Sequence, residues 1–86
     1  AFVLRQNYPN PFNPTTTIEY GIQEKGFVSL MVYDVLGREI ATLVDEVQVA
    51  GERSVEWDAS GVTSGVYFYR LQAGNFTQVR KMLLTK

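Results

Sequence analysis

Three prolines fall within six positions of the stretch Tyr8-Pro9-Asn10-Pro11-Phe12-Asn13-Pro14. Each ring fixes φ at about −65° and deletes a backbone donor, so this stretch joins neither a helix nor a central strand. The residues that precede the prolines are pushed to extended backbone. Asn10 and Asn13 can bond their own backbone and set turns. The segment is therefore expected to be a stiff, ordered kink, with Tyr8 and Phe12 inserted as anchors. It is expected to hold a short first strand, Ala1 to Asn7, against the body of the protein. Phe2 and Leu4 would share one face of that strand.

Beyond the kink the apolar period is two. Ile18, Tyr20 and Ile22 alternate with polar residues, as in a half-buried strand. Gln23 to Gly26 reads as a polar turn. Phe27 to Val35 carries Val28, Leu30 and Val32 on one face and Met31, Tyr33 and Val35 on the other. Apolar character on both faces predicts a central strand or a covered one. Asp34 to Arg38 reads as a tight turn in which Gly37 supplies the positive φ. A strand is expected from Glu39 to about Val44, although Leu36, Ile40, Leu43 and Val44 also fit a helical stripe. Asp45 to Ala50 is undefined by its pattern, and Gly51 breaks it. Arg53, Val55 and Trp57 share a face of the next strand, and Asp58 to Gly65 reads as a loop. Val66 to Gln72 and Phe76 to Thr85 form the last two strands around an Ala73-Gly74-Asn75 turn. Six or seven short strands with frequent turns predict an all-β antiparallel sandwich of immunoglobulin type.

With 86 residues the chain is one domain. Its apolar fraction of 45% and charged fraction of 20% are those of a folded protein. A net charge of −1 provides no field for nucleic acid, and no Gly-aromatic signature supports RNA binding. No apolar run approaches the length of a membrane span, and no signal peptide opens the sequence. An exported protein with this sequence would be a fragment of a larger precursor. The charges are segregated: Asp58 is the last acid, and Arg70, Arg80, Lys81 and Lys86 follow it. They form either a solvated face or a docking surface for an acidic receptor.

There is no cysteine and no histidine. This removes thiol nucleophiles, disulfides, imidazole bases and the usual zinc sites. Ser29, Ser54, Ser60 and Ser64 have no histidine to activate them, and no local signature pairs one with Lys25 or Lys81. Glu52, Glu56 and Asp58 read as solvent-facing carboxylates. No Asp-rich loop provides closely spaced calcium ligands. The chain is therefore read as non-enzymatic, with no cofactor and no metal site. One Trp, five Tyr and five Phe suit either a core or a sugar-stacking platform, and the spacing of Trp57, Tyr67 and Tyr69 is that of a core. A carbohydrate-binding or structural accessory module of a secreted enzyme is the alternative reading.

The stretch Leu4-Arg5-Gln6-Asn7-Tyr8-Pro9-Asn10-Pro11-Phe12-Asn13-Pro14-Thr15-Thr16 resembles the opening signature of the type A C-terminal sorting domains of the type IX secretion system. Val32 to Glu39, Ser64 to Leu71 and Lys81 to Leu84 resemble the later blocks of that family, in the same order. The blocks are also similar to the immunoglobulin-like domain of the flagellar hook-capping protein, from which the proline-rich opening separates them.

The resemblance implies a seven-stranded immunoglobulin-like sandwich at the C-terminus of an exported bacterial protein. It implies transit through the periplasm and delivery of an upstream cargo to the cell surface or medium. The implied partners are the outer-membrane translocon and a sortase-type surface peptidase, for which the domain is substrate and not catalyst. The processing site is expected upstream of Ala1. The signature and recognition residues carried over are Asn10, Pro11, Phe12, Asn13, Pro14, Gly37, Arg38, Gly65, Tyr67, Arg80, Lys81 and Lys86. The last strand, with Arg80, Lys81 and Lys86 among apolar residues, is the expected receptor-facing element. Removing Met82 to Lys86 is expected to abolish export of a fused cargo.

Overall fold

A computed structural model describes residues 1–86. The chain forms seven strands and no helix: β1 (Val3–Leu4), β2 (Thr15–Ile22), β3 (Gly26–Tyr33), β4 (Glu39–Gln48), β5 (Gly51–Asp58), β6 (Gly65–Ala73) and β7 (Phe76–Leu84). They build two antiparallel sheets, ordered β1-β2-β5 and β4-β3-β6-β7. β3 is central in the larger sheet, as its two apolar faces predict. The ambiguous stripe is not a helix: Leu36 lies in the β3–β4 turn, Ile40, Leu43 and Val44 lie on β4, and β4 runs on through Asp45 to Gln48. Its pairing with β3 is irregular at Leu30/Met31 and at Val32/Tyr33. Such bulges add twist at a sheet edge.

The two sheets face each other through the alternate residues of their strands. Ile18, Tyr20 and Ile22 on β2 meet Val28, Leu30 and Val32 on β3 and Tyr67, Tyr69 and Leu71 on β6 in one buried cluster. Met82 and Leu84 on β7 and Trp57 on β5 join it, together with Leu4, Phe12, Ala59 and Ala73. Each such side chain taken from water contributes about 1.5–3 kcal/mol, which is how so short a chain offsets its conformational entropy. Trp57, Tyr20, Tyr67 and Tyr69 are all buried, so the rings considered for a sugar platform are core. Tyr8, 80% exposed, and Phe27, 54% exposed, are the largely exposed aromatic side chains.

Three expectations are corrected. The first strand is only Val3–Leu4: the chain stays beside β2, with Arg5 N–H on Glu19 O and Tyr8 paired with Thr17, but the register slips by one residue between Leu4 and Tyr8 and breaks the ladder. Tyr8 is not an anchor: its backbone bridges Thr17 and its ring lies in solvent. Phe12, in contrast, is 1% exposed. Val35 lies beyond the end of β3 in the following turn and is exposed.

The molecule is elongated, 37 × 23 × 17 Å, and has two distinct ends. Ala1, the β2–β3 turn and the β6–β7 turn share one, where Phe2 stacks on Phe76 with centroids 5.6 Å apart. The proline-rich kink, the β3–β4 turn, the β5–β6 loop and Lys86 share the other.

Candidate functional site

The residues from Arg5 to Pro14 form a strap between β2 and β7. The strap is fastened first by Tyr69, whose hydroxyl donates to Arg5 O at 2.7 Å and accepts from Asn7 N–H at 2.8 Å. Burial pushes the Tyr69 phenol pKa up, so the group remains a protonated donor. Asn7 is buried, and its Nδ2 donates to Thr16 Oγ1 at 2.9 Å and to Pro9 O at 3.2 Å. Thr16 is buried as well and donates to the same Pro9 carbonyl. A proline-rich turn has few donors of its own, and these side chains supply the missing bonds. The Tyr8-Pro9, Asn10-Pro11 and Asn13-Pro14 peptide bonds are cis.

The strap then joins the last strand. Gln6 Nε2 donates to Lys81 O at 2.8 Å, and Leu83 N–H donates to Asn10 Oδ1 at 2.9 Å. Phe12 N–H donates to Leu83 O, and Thr85 N–H donates to Phe12 O. This is a one-residue parallel bridge between Phe12 and Leu84. Inside, the Phe12 ring lies 5.8 Å from Trp57, which meets Tyr67 edge-on at 6.0 Å. Phe12 is therefore a core residue of the site, and Asn10 is its edge-binding residue. Ala59 N–H caps Pro14 O at 2.9 Å. Asn13 is exposed beside it.

The second signature block is the β3–β4 turn. Asp34 Oδ1 accepts from the N–H groups of Leu36 and Arg38, both at 2.9 Å, and Oδ2 accepts from Arg38 Nε at 2.7 Å. These bonds, first those to Arg38, hold the Asp34 carboxyl below its ordinary pKa. Gly37 sits at φ 81°, which L side chains rarely adopt. Arg38 thus locks its own turn. The turn lifts Val35 and Leu36 into solvent, 67% and 73% exposed.

The third block begins at Gly65, at φ 151°. Tyr67 is buried, and its hydroxyl donates to Thr63 O at 2.6 Å. A groove of about 570 Å³ runs between this loop and the Asp34 turn, with Val35, Leu36, Ile40 and Val62 on its walls. Lys86 closes the loop from beneath. Its ammonium donates to Ser60 O at 2.7 Å and to Val62 O. Ser60 donates to Asp58, which lowers the Asp58 pKa, with a smaller contribution from Lys86. Both the N–H and the hydroxyl of Ser60 donate to Asp58 Oδ1, which caps the loop.

The expected cationic ribbon is not one surface. Arg80 follows the inward phase of Met82 and Leu84 and donates from Nε to Leu4 O at 2.6 Å, sealing β7 to β1. Lys81 points to the outer face of the sheet and is exposed. Lys86 lies past the strand and is spent on loop carbonyls. Asn7 lies within the opening signature but not among the residues carried over from it, yet it organises the strap. The site therefore brings Asn10 to Pro14, Gly37, Arg38, Gly65, Tyr67 and Lys86 to one end of the sandwich, with Arg80 and Lys81 farther along β7. No group of three or more His, Cys, Asp or Glu side chains is placed to hold a metal, and no helix is long and apolar enough to cross a membrane.

The sequence model of one family, described as "Secretion system C-terminal sorting domain", matches residues 6–85. Among solved structures, a chain of PorZ from Porphyromonas gingivalis is similar over 100% of this chain, with a TM-score of 0.65 and 23% identity. That structure is described as an essential bacterial surface component of the type-IX secretion system. The likeness covers 12% of the PorZ chain, so it shows a shared fold for one part of that protein. No curated protein matches.

Proposed function

Because the chain belongs to the family of secretion system C-terminal sorting domains, we propose that residues 1–86 are the sorting tail of a larger exported precursor, carried through a type IX system. Cargo precedes Ala1, crosses the periplasm with the folded tail, and reaches the cell surface or medium. The outer-membrane translocon reads the tail, and a sortase-type peptidase acts upstream of it. The tail is the address in this process and not an enzyme.

One observation carries this reading. The blocks that make up the signature are far apart in sequence, yet they meet at one end of the sandwich, and Ala1 lies at the other. A partner can read that end while a domain joined at Ala1 hangs from the opposite one. The buried members of the signature, Phe12 and Tyr67, form the scaffold. The exposed ones at this end, Asn10, Pro11, Asn13, Gly37 and Arg38, are the surface offered to the machinery, with Lys81 farther along β7 and Lys86 holding the β5–β6 loop. The alternative of a sugar-binding module loses its platform, because Trp57 and three of the tyrosines lie in the core.

The test is to separate the end from the fold. Leu36→Ser and Arg38→Ala are made in a tail fused behind a fluorescent passenger that carries its own N-terminal signal peptide. In a host with a type IX system, export should fall while the melting temperature of the purified tail changes little. Normal export from both variants would show that this end is not what the machinery reads.

A further inference from the structure

The strap closes only half of the β7 edge. β6 and β7 pair without a register shift, so alternate residues of β7 turn their N–H and C=O groups away from β6. Leu83 shows the phase: its N–H goes to Asn10 and its C=O to Phe12, both outward. Lys81 O is taken by Gln6. By the same period, Thr77 N–H and C=O, Val79 N–H and C=O, and Lys81 N–H also face outward. β7 is the last strand of its sheet, and no side chain bonds these groups. Thr77, Val79 and Lys81 are all exposed.

The other edges are guarded. β4 is bulged and carries Glu39, Asp45 and Glu46. β5 carries Glu52, Glu56 and Asp58, and β1 has only two residues. Bulges, charges and shortness are the usual protections of an edge. The stretch from Thr77 to Lys81 has no bulge, its one outward charge is Lys81, and its inward Arg80 is bonded to Leu4 O on β1 across the sheets, leaving the outward backbone groups free. An edge left open in a protein that protects its others is a place for strand addition.

We propose that this open half-edge takes a short, extended, acid-bearing segment of the secretion machinery as an added strand of the four-stranded sheet. The proposal rests on the sorting reading above and adds to it a second contact, along the flank of the sheet between the β6–β7 turn and the signature end. Charge selects the occupant. β6 and β7 carry Arg70, Arg80 and Lys81 and no acid. A second copy pairing edge to edge would bring two such cation-only strands together, whereas a carboxylate placed across from Lys81 satisfies it. The strap sets the length, because Gln6 and Asn10 occupy the edge from Lys81 O onward.

The experiment uses the passenger fusion with three single changes in the tail. Val79→Pro removes an outward N–H and blocks the edge, while leaving the β6–β7 ladder intact. Val79→Thr keeps both the N–H and the branched shape. Lys81→Glu reverses the charge. The expected result is normal export for wild type and V79T, and a loss of about tenfold for V79P and K81E, the scale of one missing interfacial hydrogen bond or charge pair. Melting of the purified tails serves as the fold control, and if V79P melts early then K81E decides. If wild type, V79P and K81E export equally, the half-edge proposal is overturned and the sorting reading stands. Equal losses in V79T and V79P also overturn it, since a side-chain contact would then be responsible. If the wild-type fusion itself stays inside, the sorting reading fails and takes this proposal with it.

Discussion

Phe12 and Leu84 form a parallel bridge that ties the proline-rich opening of the chain to its final strand. The Phe12 ring enters the core below this bridge, against Trp57. The first and last signature blocks are thus one structural unit, and each needs the other to hold its conformation.

Phe12→Ala removes a ring that is 1% exposed and should cost about 3–5 kcal/mol of stability. Chemical denaturation of the isolated domain measures it. An unchanged midpoint, together with lost export, would make Phe12 a contact residue and not an anchor.

Tyr69→Phe deletes the two bonds the Tyr69 hydroxyl makes to the strap and leaves the buried Asn7 N–H without a partner. The expected cost is about 1–3 kcal/mol. Hydrogen exchange should accelerate at Asn7, Phe12 and Thr85 before it does at the β3–β6 ladder. Uniform acceleration would show that the strap and body open together.

Acid should loosen the signature end. The Asp34 and Asp58 carboxyls lie below the ordinary aspartate pKa of 3.8 because N–H and O–H donors hold the ionised form. A depressed native pKa contributes stability that is complete above the unfolded value and is lost as pH falls through the native one. Amide shifts of Leu36, Arg38 and Ser60 should therefore hold steady down to about pH 4 and move only below it. Movement between pH 5 and pH 7 would contradict the assignment.

Polysaccharides should not retard the domain in affinity electrophoresis, since Trp57 is in the core and Tyr8 and Phe27 belong to different ends of the molecule. Retardation abolished by Tyr8→Ala would revive a carbohydrate role.

Most of the fold was legible in the sequence because a half-buried strand writes its burial as a period of two. Ile18, Tyr20 and Ile22, or Tyr67, Tyr69 and Leu71, needed no other information. The same rule applied to β7 places Arg80 in phase with Met82 and Leu84, and so inward. Grouping Arg80 with Lys81 as one ribbon overlooked that successive residues face opposite ways. Tyr8 was misjudged for a different reason: alternation does not carry through three prolines, so nothing local says which ring of the kink turns inward. Asn7 was invisible because its value lies in bonds to Pro9 and Thr16 that exist only once the kink has closed. Truncation of Met82 to Lys86 is likewise less informative than the sequence suggested. Met82 and Leu84 are buried, so their removal disrupts the fold as well as the signal, and single changes on exposed positions are the sharper tool.

The most direct measurement is the location of a passenger protein that carries an N-terminal signal peptide, with and without residues 1–86 at its C-terminus, in a bacterium possessing a type IX system. The account predicts that the tailed passenger reaches the cell surface or medium while the tailless one stops in the periplasm. If both remain in the periplasm, with the tail folded and intact, this chain does not direct export.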